Sequence, residues 1–217
     1  MTNKAASLRA LQRELASRLT AAGFAERSKQ VYFWPLREGV DGWLGINRAT
    51  EDAGQIASLN PVIGIRHDEV ERRVAQLSGR RPSLVAATFA RPLGYFMPDH
   101  AYREWSIGNE MLIPDALDDM VSSIRTYGLA PMRQWADLSE LLTAIERHGH
   151  VLEYEARDVP VILALLGRRS EAARRASGYL ERMAGRLTYP EYRRFVVEFD
   201  RYLGQQRPPR SQVKTLR

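Results

Sequence analysis

Every segment that reads as a strand, by aromatic and β-branched residues that fit a pleated, half-buried surface, falls before residue 108. From Pro114 onward the chain reads only as helices. Strands bunched at one end are joined by short returns, and short returns make antiparallel sheets. The expected class is α+β: an N-terminal helix plus an antiparallel sheet of about five strands, followed by an all-helical C-terminal half.

The elements follow from local pattern. Leu8, Leu11, Leu15 and Leu19 put an amphipathic helix over residues 4–22, and Gly23 supplies its stop. Val31, Tyr32, Phe33 and Trp34 mark a strand over 29–36; Glu38-Gly39 and Asp41-Gly42 suggest a hairpin, with 43–47 as the return. Residues 56–65 are a third strand, which Asn60-Pro61 demotes to an edge or a bulge because proline cannot donate to a ladder. A short helix over 68–77 shows Val70, Val74 and Leu77 on one face. Residues 84–89 and 102–107 are the last strands, joined by a loop over 91–100.

Helices are then expected over 114–127, 138–147, 158–167, 170–186 and 190–203. Asp137 with Glu140 caps the second, and 158–167 is apolar nearly all round, so it should be the most buried. The inner stripe of 170–186 is read as Ala173, Ala176, Leu180 and Met183. The segment from Ile162 to Leu180 is similar to one helical hairpin of the tetratricopeptide type; one hairpin is not an array, so it reads as a packing solution. The chain divides into a helix-plus-sheet subdomain (1–112), a helical subdomain (113–204) and a tail (205–217). The tail, with Pro208-Pro209 and scattered Arg207, Arg210, Lys214 and Arg217, reads as disordered and basic.

Charge is banded. The net charge is +6, but residues 1–98 hold 14 Lys and Arg against 9 Asp and Glu, residues 99–150 hold 4 against 9, and residues 151–217 hold 14 against 8. Acidic 99–150 and basic 151–217 could meet within one molecule or join two copies into a homo-oligomer. Lysine occurs only at Lys4, Lys29 and Lys214; the arginine bias fits GC-rich coding, and it also fits bidentate recognition of phosphate or carboxylate. The absence of cysteine excludes disulfides, thiolate metal sites and cysteine nucleophiles. No apolar run reaches the roughly 18–20 residues that span a bilayer, and residues 1–10 lack a signal-peptide core, so a cytoplasmic protein without membrane attachment is expected.

Chemistry-bearing motifs are few. His148-Gly149-His150 needs a third ligand to hold a metal, and Asp115, Asp118 and Asp119 suit the positive N-terminus of a helix. His67-Asp68 and Asp99-His100 are isolated pairs. There is no nucleophile elbow and no phosphate-cradling glycine loop; Gly45 and Gly64 read as bulges or close-packing sites within strands. No catalytic residue, cofactor or metal is therefore expected, and an enzyme ranks third among the readings.

Two binding readings remain. Trp, Tyr and Arg are the usual anchors of protein interfaces. Tyr95, Phe96 and Met97, set between Gly94 and Pro98, are the partner-binding candidates together with Trp105; Trp34 and Trp43 are expected in the core. Nucleic-acid binding would use Arg168, Arg169, Arg174, Arg175, Arg193 and Arg194 with the tail. Against it, the spacing of Glu191, Arg194, Glu198 and Arg201 is that of a salt-bridged, solvated helix face.

Gly23-Phe24, the Val31–Trp34 run, Asn60-Pro61-Val62-Ile63-Gly64-Ile65 and Tyr127-Gly128-Leu129-Ala130-Pro131 follow one another in an order that resembles a group of small bacterial domains of unknown function. In that group the first helix ends in Gly-Phe before an aromatic strand and a hairpin, and a later helix ends in a Tyr-Gly-Leu-Pro-like turn, from which Ala130 departs here. The resemblance runs from Leu8 to Arg147 and brings no catalytic residues. Some of the group resemble immunity or adaptor proteins of bacterial conflict systems. It implies a non-enzymatic protein–protein interaction module, an immunity or accessory component of such a system; the alternative is a basic nucleic-acid-binding accessory protein.

Overall fold

The computed structural model describes residues 3–50, 56–107, 113–147 and 155–205. His148, His150 and the tail from residue 206 lie outside them. The chain forms two compact units, one of Met1–Glu69 with Leu84–Arg147 and one of Val70–Ser83 with His148–Arg217. The sequence put the division after residue 112. Instead residues 113–147 stay with the sheet, because their apolar faces pack on it, and most of the 68–77 helix joins the C-terminal helices.

In the first unit, α1 (Asn3–Ala21) leads into β1 (Ala25–Ser28), β2 (Val31–Arg37), β3 (Val40–Thr50) and β4 (Ile56–His67), with α2 (Asp68–Leu77) following. After the excursion of α2 come β5 (Phe89–Pro92) and β6 (Trp105–Ser106). All pairings are antiparallel, in the order β1-β2-β3-β4-β5, and β6 pairs β4 beside β5. The chain is α+β, as its pattern implied.

Gly23 stops α1 as expected. Its φ of +91° lets its own N–H reach the Thr20 carbonyl (2.9 Å) while the Phe24 N–H reaches Leu19 (2.9 Å), closing the helix end. The β2–β3 hairpin turns on Glu38-Gly39, between paired Arg37 and Val40.

Pro61 did not make an edge. β4 runs through the sheet with β3 on one side and β5 and β6 on the other. The Ile46 N–H bonds the Gln30 carbonyl and so points away from β4; its partner Pro61 is therefore a non-hydrogen-bonded position against β3. On the other edge Pro61 falls between Leu59, the last residue paired with β6, and Val62, the first paired with β5. The missing N–H thus costs no ladder bond.

Three other expectations are corrected. β1 was not foreseen, since Ala25–Ser28 has no apolar alternation and is exposed along most of its length. Residues 84–88 are not strand: the Trp43 indole and the Arg66 guanidinium bond the carbonyls of Val85 and Ala86 (both 2.8 Å), which takes those acceptors from a ladder. The helix expected over 114–127 does not end in a Tyr-Gly-Leu turn; α3 (Ile113–Ser123) passes through a π-helical turn, Ile124–Gly128, into α4 (Leu129–Gln134). Gly128 there lies against Ile63, where a side chain would crowd the sheet. α5 (Leu138–Arg147) starts where Asp137 caps it, the carboxylate accepting from the Ser139 and Glu140 N–H groups at 2.8 and 3.1 Å. Leu19, Leu44, Ile63, Phe89, Leu117 and Met132 form the buried centre of this unit.

The second unit is helical: α2 from Val70 onward, α6 (Glu155–Leu165), α7 (Arg169–Arg182) and α8 (Tyr189–Gln205). Val159, Val161, Ile162 and Leu163 of α6 are wholly buried, as its all-round apolarity implied. The stripe of α7 is Ala172, Ala176, Tyr179 and Met183, so Ala172 and Tyr179 take the places expected for Ala173 and Leu180. The small side chains at Ala172 and Ala176 let α6 and α7 pack as a tight hairpin about Gly167.

Candidate functional site

The partner-binding candidates lie between β5 and β6. Leu93–Phe96 makes one 3-10 turn, and the chain doubles back so closely that a Cβ on Gly94 would overlap the Ala101 carbonyl oxygen and press on Arg103. This return fixes the loop. The His100 ring meets the Tyr95 carbonyl through Nδ1 (3.0 Å), and the Asn60 amide donates to the Arg103 carbonyl (2.7 Å).

The four candidates do not share a surface. Met97 and Trp105 are each 5% exposed, and the Trp105 indole donates to Asp119 (2.7 Å). Phe96 is half-buried and set edge-on to Trp135, ring centres 5.3 Å apart. Met97 ends the 3-10 turn, its N–H bonding the Gly94 carbonyl (3.2 Å), and Trp105 lies on β6 opposite Leu59. Tyr95 alone stands out, at 40% exposure. Trp34 and Trp43, expected in the core, are half-buried, with the Arg133 guanidinium lying over the Trp34 ring at 4.8 Å.

Sequence reasoning missed Tyr102, which is 55% exposed. It stands at the start of the strand expected over 102–107, shortly after the Pro98-Asp99 step, which is a loop signal. Its phenol donates to Glu104 (2.6 Å), and Glu104 also accepts from Ser58 on β4 (2.8 Å). That hydrogen bond holds the phenol above its ordinary pKa and the Glu104 carboxyl below its own. Tyr95 adds a smaller upward push on Tyr102, as a neighbour would. The result is a pair of exposed tyrosines on a braced loop, with the Arg103 guanidinium over Trp105 beside them (5.1 Å).

The arginine candidates lie in the second unit. Val70–Ser83 with His148–Arg217 holds 18 Lys and Arg against 9 Asp and Glu, so this unit carries +9 and the first carries −3. Arg168 pairs with Glu171 (2.8 Å), and Arg169 and Arg175 are half-buried. Arg193 and Arg194 are exposed on α8 and line a groove of about 920 Å³ with Arg80, Arg157 and the half-exposed Val197. Arg80 is bound to the buried Glu71 (2.7 Å), and Arg157 to Glu191 (3.8 Å). Among the described residues Arg174, Arg193 and Arg194 have no ion pair. The half-buried Tyr189 lines the same groove, whereas Tyr192, Phe195, Phe199 and Tyr202 face inward.

Of the acidic trio, Asp118 pairs with Arg18 (2.8 Å) and Asp119 takes Trp105 and Arg103. Among the described residues no cluster of three or more metal-ligating side chains forms, and no helix is long and apolar enough to cross a membrane. Compared with known protein families, with curated proteins and with solved structures, the chain matches none.

Proposed function

We propose that the protein works by binding another protein through the Tyr95–Tyr102 loop. The observation that carries this is the braced pair itself: two tyrosines, 40% and 55% exposed, on a loop fixed by Gly94, His100, Asn60 and Glu104. Tyrosine offers a large amphipathic contact at small entropy cost, and a loop already held in shape loses little more on binding. The resemblance to immunity- and adaptor-like domains favours the same reading and suggests an accessory role in a bacterial conflict system.

A photocrosslinking amino acid placed at Tyr95, at Tyr102 or at the fully exposed Leu187 in living cells tests it. The first two positions should give the same discrete adduct and Leu187 should not. Adducts that are absent at Tyr95 and Tyr102, or equal at all three positions, reject the loop as the contact.

A second reading rests on the +9 of the helical unit: binding of a nucleic-acid backbone through Arg174, Arg193 and Arg194. Such binding would weaken steeply with salt, because neutralised phosphates release counterions.

A further inference from the structure

On the sheet face that packs against α1 lies a hollow of about 650 Å³, within the roughly 300–1,000 Å³ of ordinary small-molecule sites. Its floor is apolar, made by Leu11 and Leu15 of α1 and by Ile46 and Leu59 of β3 and β4. Among the described residues its rim is unevenly charged: Arg13, Lys29 and Arg48 against the carboxylate of Glu26. Among the described residues Arg13 and Lys29 make no hydrogen bond and no ion pair. Arg48 is steadied by Gln30, whose amide, turned to donate to the Ile46 carbonyl (3.1 Å), offers its oxygen to the guanidinium.

Tyr32 adds a hydroxyl to the lining of the hollow. It lines the hollow at 4% exposure, yet its hydroxyl has no hydrogen-bond partner among the described residues. Strand register sets its surroundings, with Glu26 of β1 opposite on one side and Leu44 of β3 on the other. Burial first, and then the Glu26 charge, raises the phenol's pKa, so at neutral pH it is a donor.

We propose that this hollow binds a medium-chain carboxylate, its tail on Leu11, Leu15, Ile46 and Leu59 and its head taken by Arg13, Lys29 and the Tyr32 hydroxyl. Three cations less one carboxylate leave a positive rim over an apolar floor, which selects an anionic head joined to an apolar body. The site is separate from the Tyr95–Tyr102 loop and stands whether or not that loop binds a partner.

Calorimetric titration of the full chain with decanoate, and with decanol as the uncharged control, tests the proposal. Decanoate should bind saturably, one per chain, at least tenfold more tightly than decanol. Replacing the exposed Arg13 and Lys29 by glutamine should weaken decanoate at least tenfold and decanol little, with the melting temperature unchanged. Tyr32→Phe, which keeps the ring, should weaken decanoate several-fold. Failure of decanoate to saturate overturns the proposal, as does equal affinity for decanol, or affinity that survives the Arg13→Gln, Lys29→Gln change.

Discussion

The hydroxyl of Tyr192 donates to the carbonyl of Ala156 at 2.8 Å, and that carbonyl is the one Pro160, four residues on, has no N–H to reach. A proline inside a buried helix is thereby tolerated, because a side chain from α8 supplies the donor that α6 lacks. Burial holds the phenol well above its ordinary pKa, so the donor persists across the working pH range.

Removing only that hydroxyl, in Tyr192→Phe, should lower stability by about 1 kcal/mol in urea unfolding, the usual worth of such a bond. Tyr192→Ala should cost about 3–5 kcal/mol, since the ring is wholly buried. The bond and the proline are also coupled. In a Pro160→Ala background the helix regains its own donor, so Tyr192→Phe should cost less there than in the parent.

His67 gives a pH dependence. Its Nε2 donates to the Trp135 carbonyl (2.9 Å); burial foremost lowers its pKa below the ordinary 6.5, that hydrogen bond opposes the shift, and of the nearby charges Arg37 adds to it while Asp137 and Asp68 oppose it. The unfolded chain takes up the proton before the folded one does, so acid favours unfolding. Stability should be full above about pH 6.5 and fall as pH drops from there toward the lowered value. Melting temperatures between pH 7.5 and 5 read this directly, and His67→Gln should flatten the slope over that window.

Gly94 allows the close return of the proposed contact loop. Gly94→Ala drives a methyl into the Ala101 carbonyl and should cost about 1–3 kcal/mol, the usual range for overpacking. Hydrogen exchange should quicken in residues 94–104 more than in α8, which lies in the other unit.

Much of the fold was legible because hydrophobic period and punctuation agreed. The bounds of Asp68–Leu77 and Leu138–Arg147 follow from pattern alone, helped in the second by the Asp137 cap. What was not legible depends on contacts remote in sequence. β1 exists because β2 pairs with it, and Pro61 sits mid-sheet because the partner strands change beside it. The contact loop was half visible. Tyr95 could be read from its place after Gly94, but Trp105 is buried through its pairing with Leu59 and its bond to Asp119, contacts remote in sequence.

If charge alone carried function, the unpaired arginines of the second unit would matter most. Replacing Arg174, Arg193 and Arg194 by glutamate should leave the melting temperature nearly unchanged, since all three are exposed. Fluorescence titration with mixed oligonucleotides at low and physiological salt should show no tight binding that these changes abolish. Micromolar, salt-steep binding lost in the triple variant would favour the nucleic-acid reading instead.

The most direct measurement is the affinity of the crosslinked partner, once identified, for three forms of the full chain: the parent, Tyr95→Ala with Tyr102→Ala, and the triple arginine variant. The account predicts that loss of the tyrosine pair weakens binding by about 2 kcal/mol or more, roughly thirtyfold, at unchanged melting temperature, while the arginine variant binds as the parent does. Binding that survives loss of both tyrosines and disappears with the three arginines would contradict it.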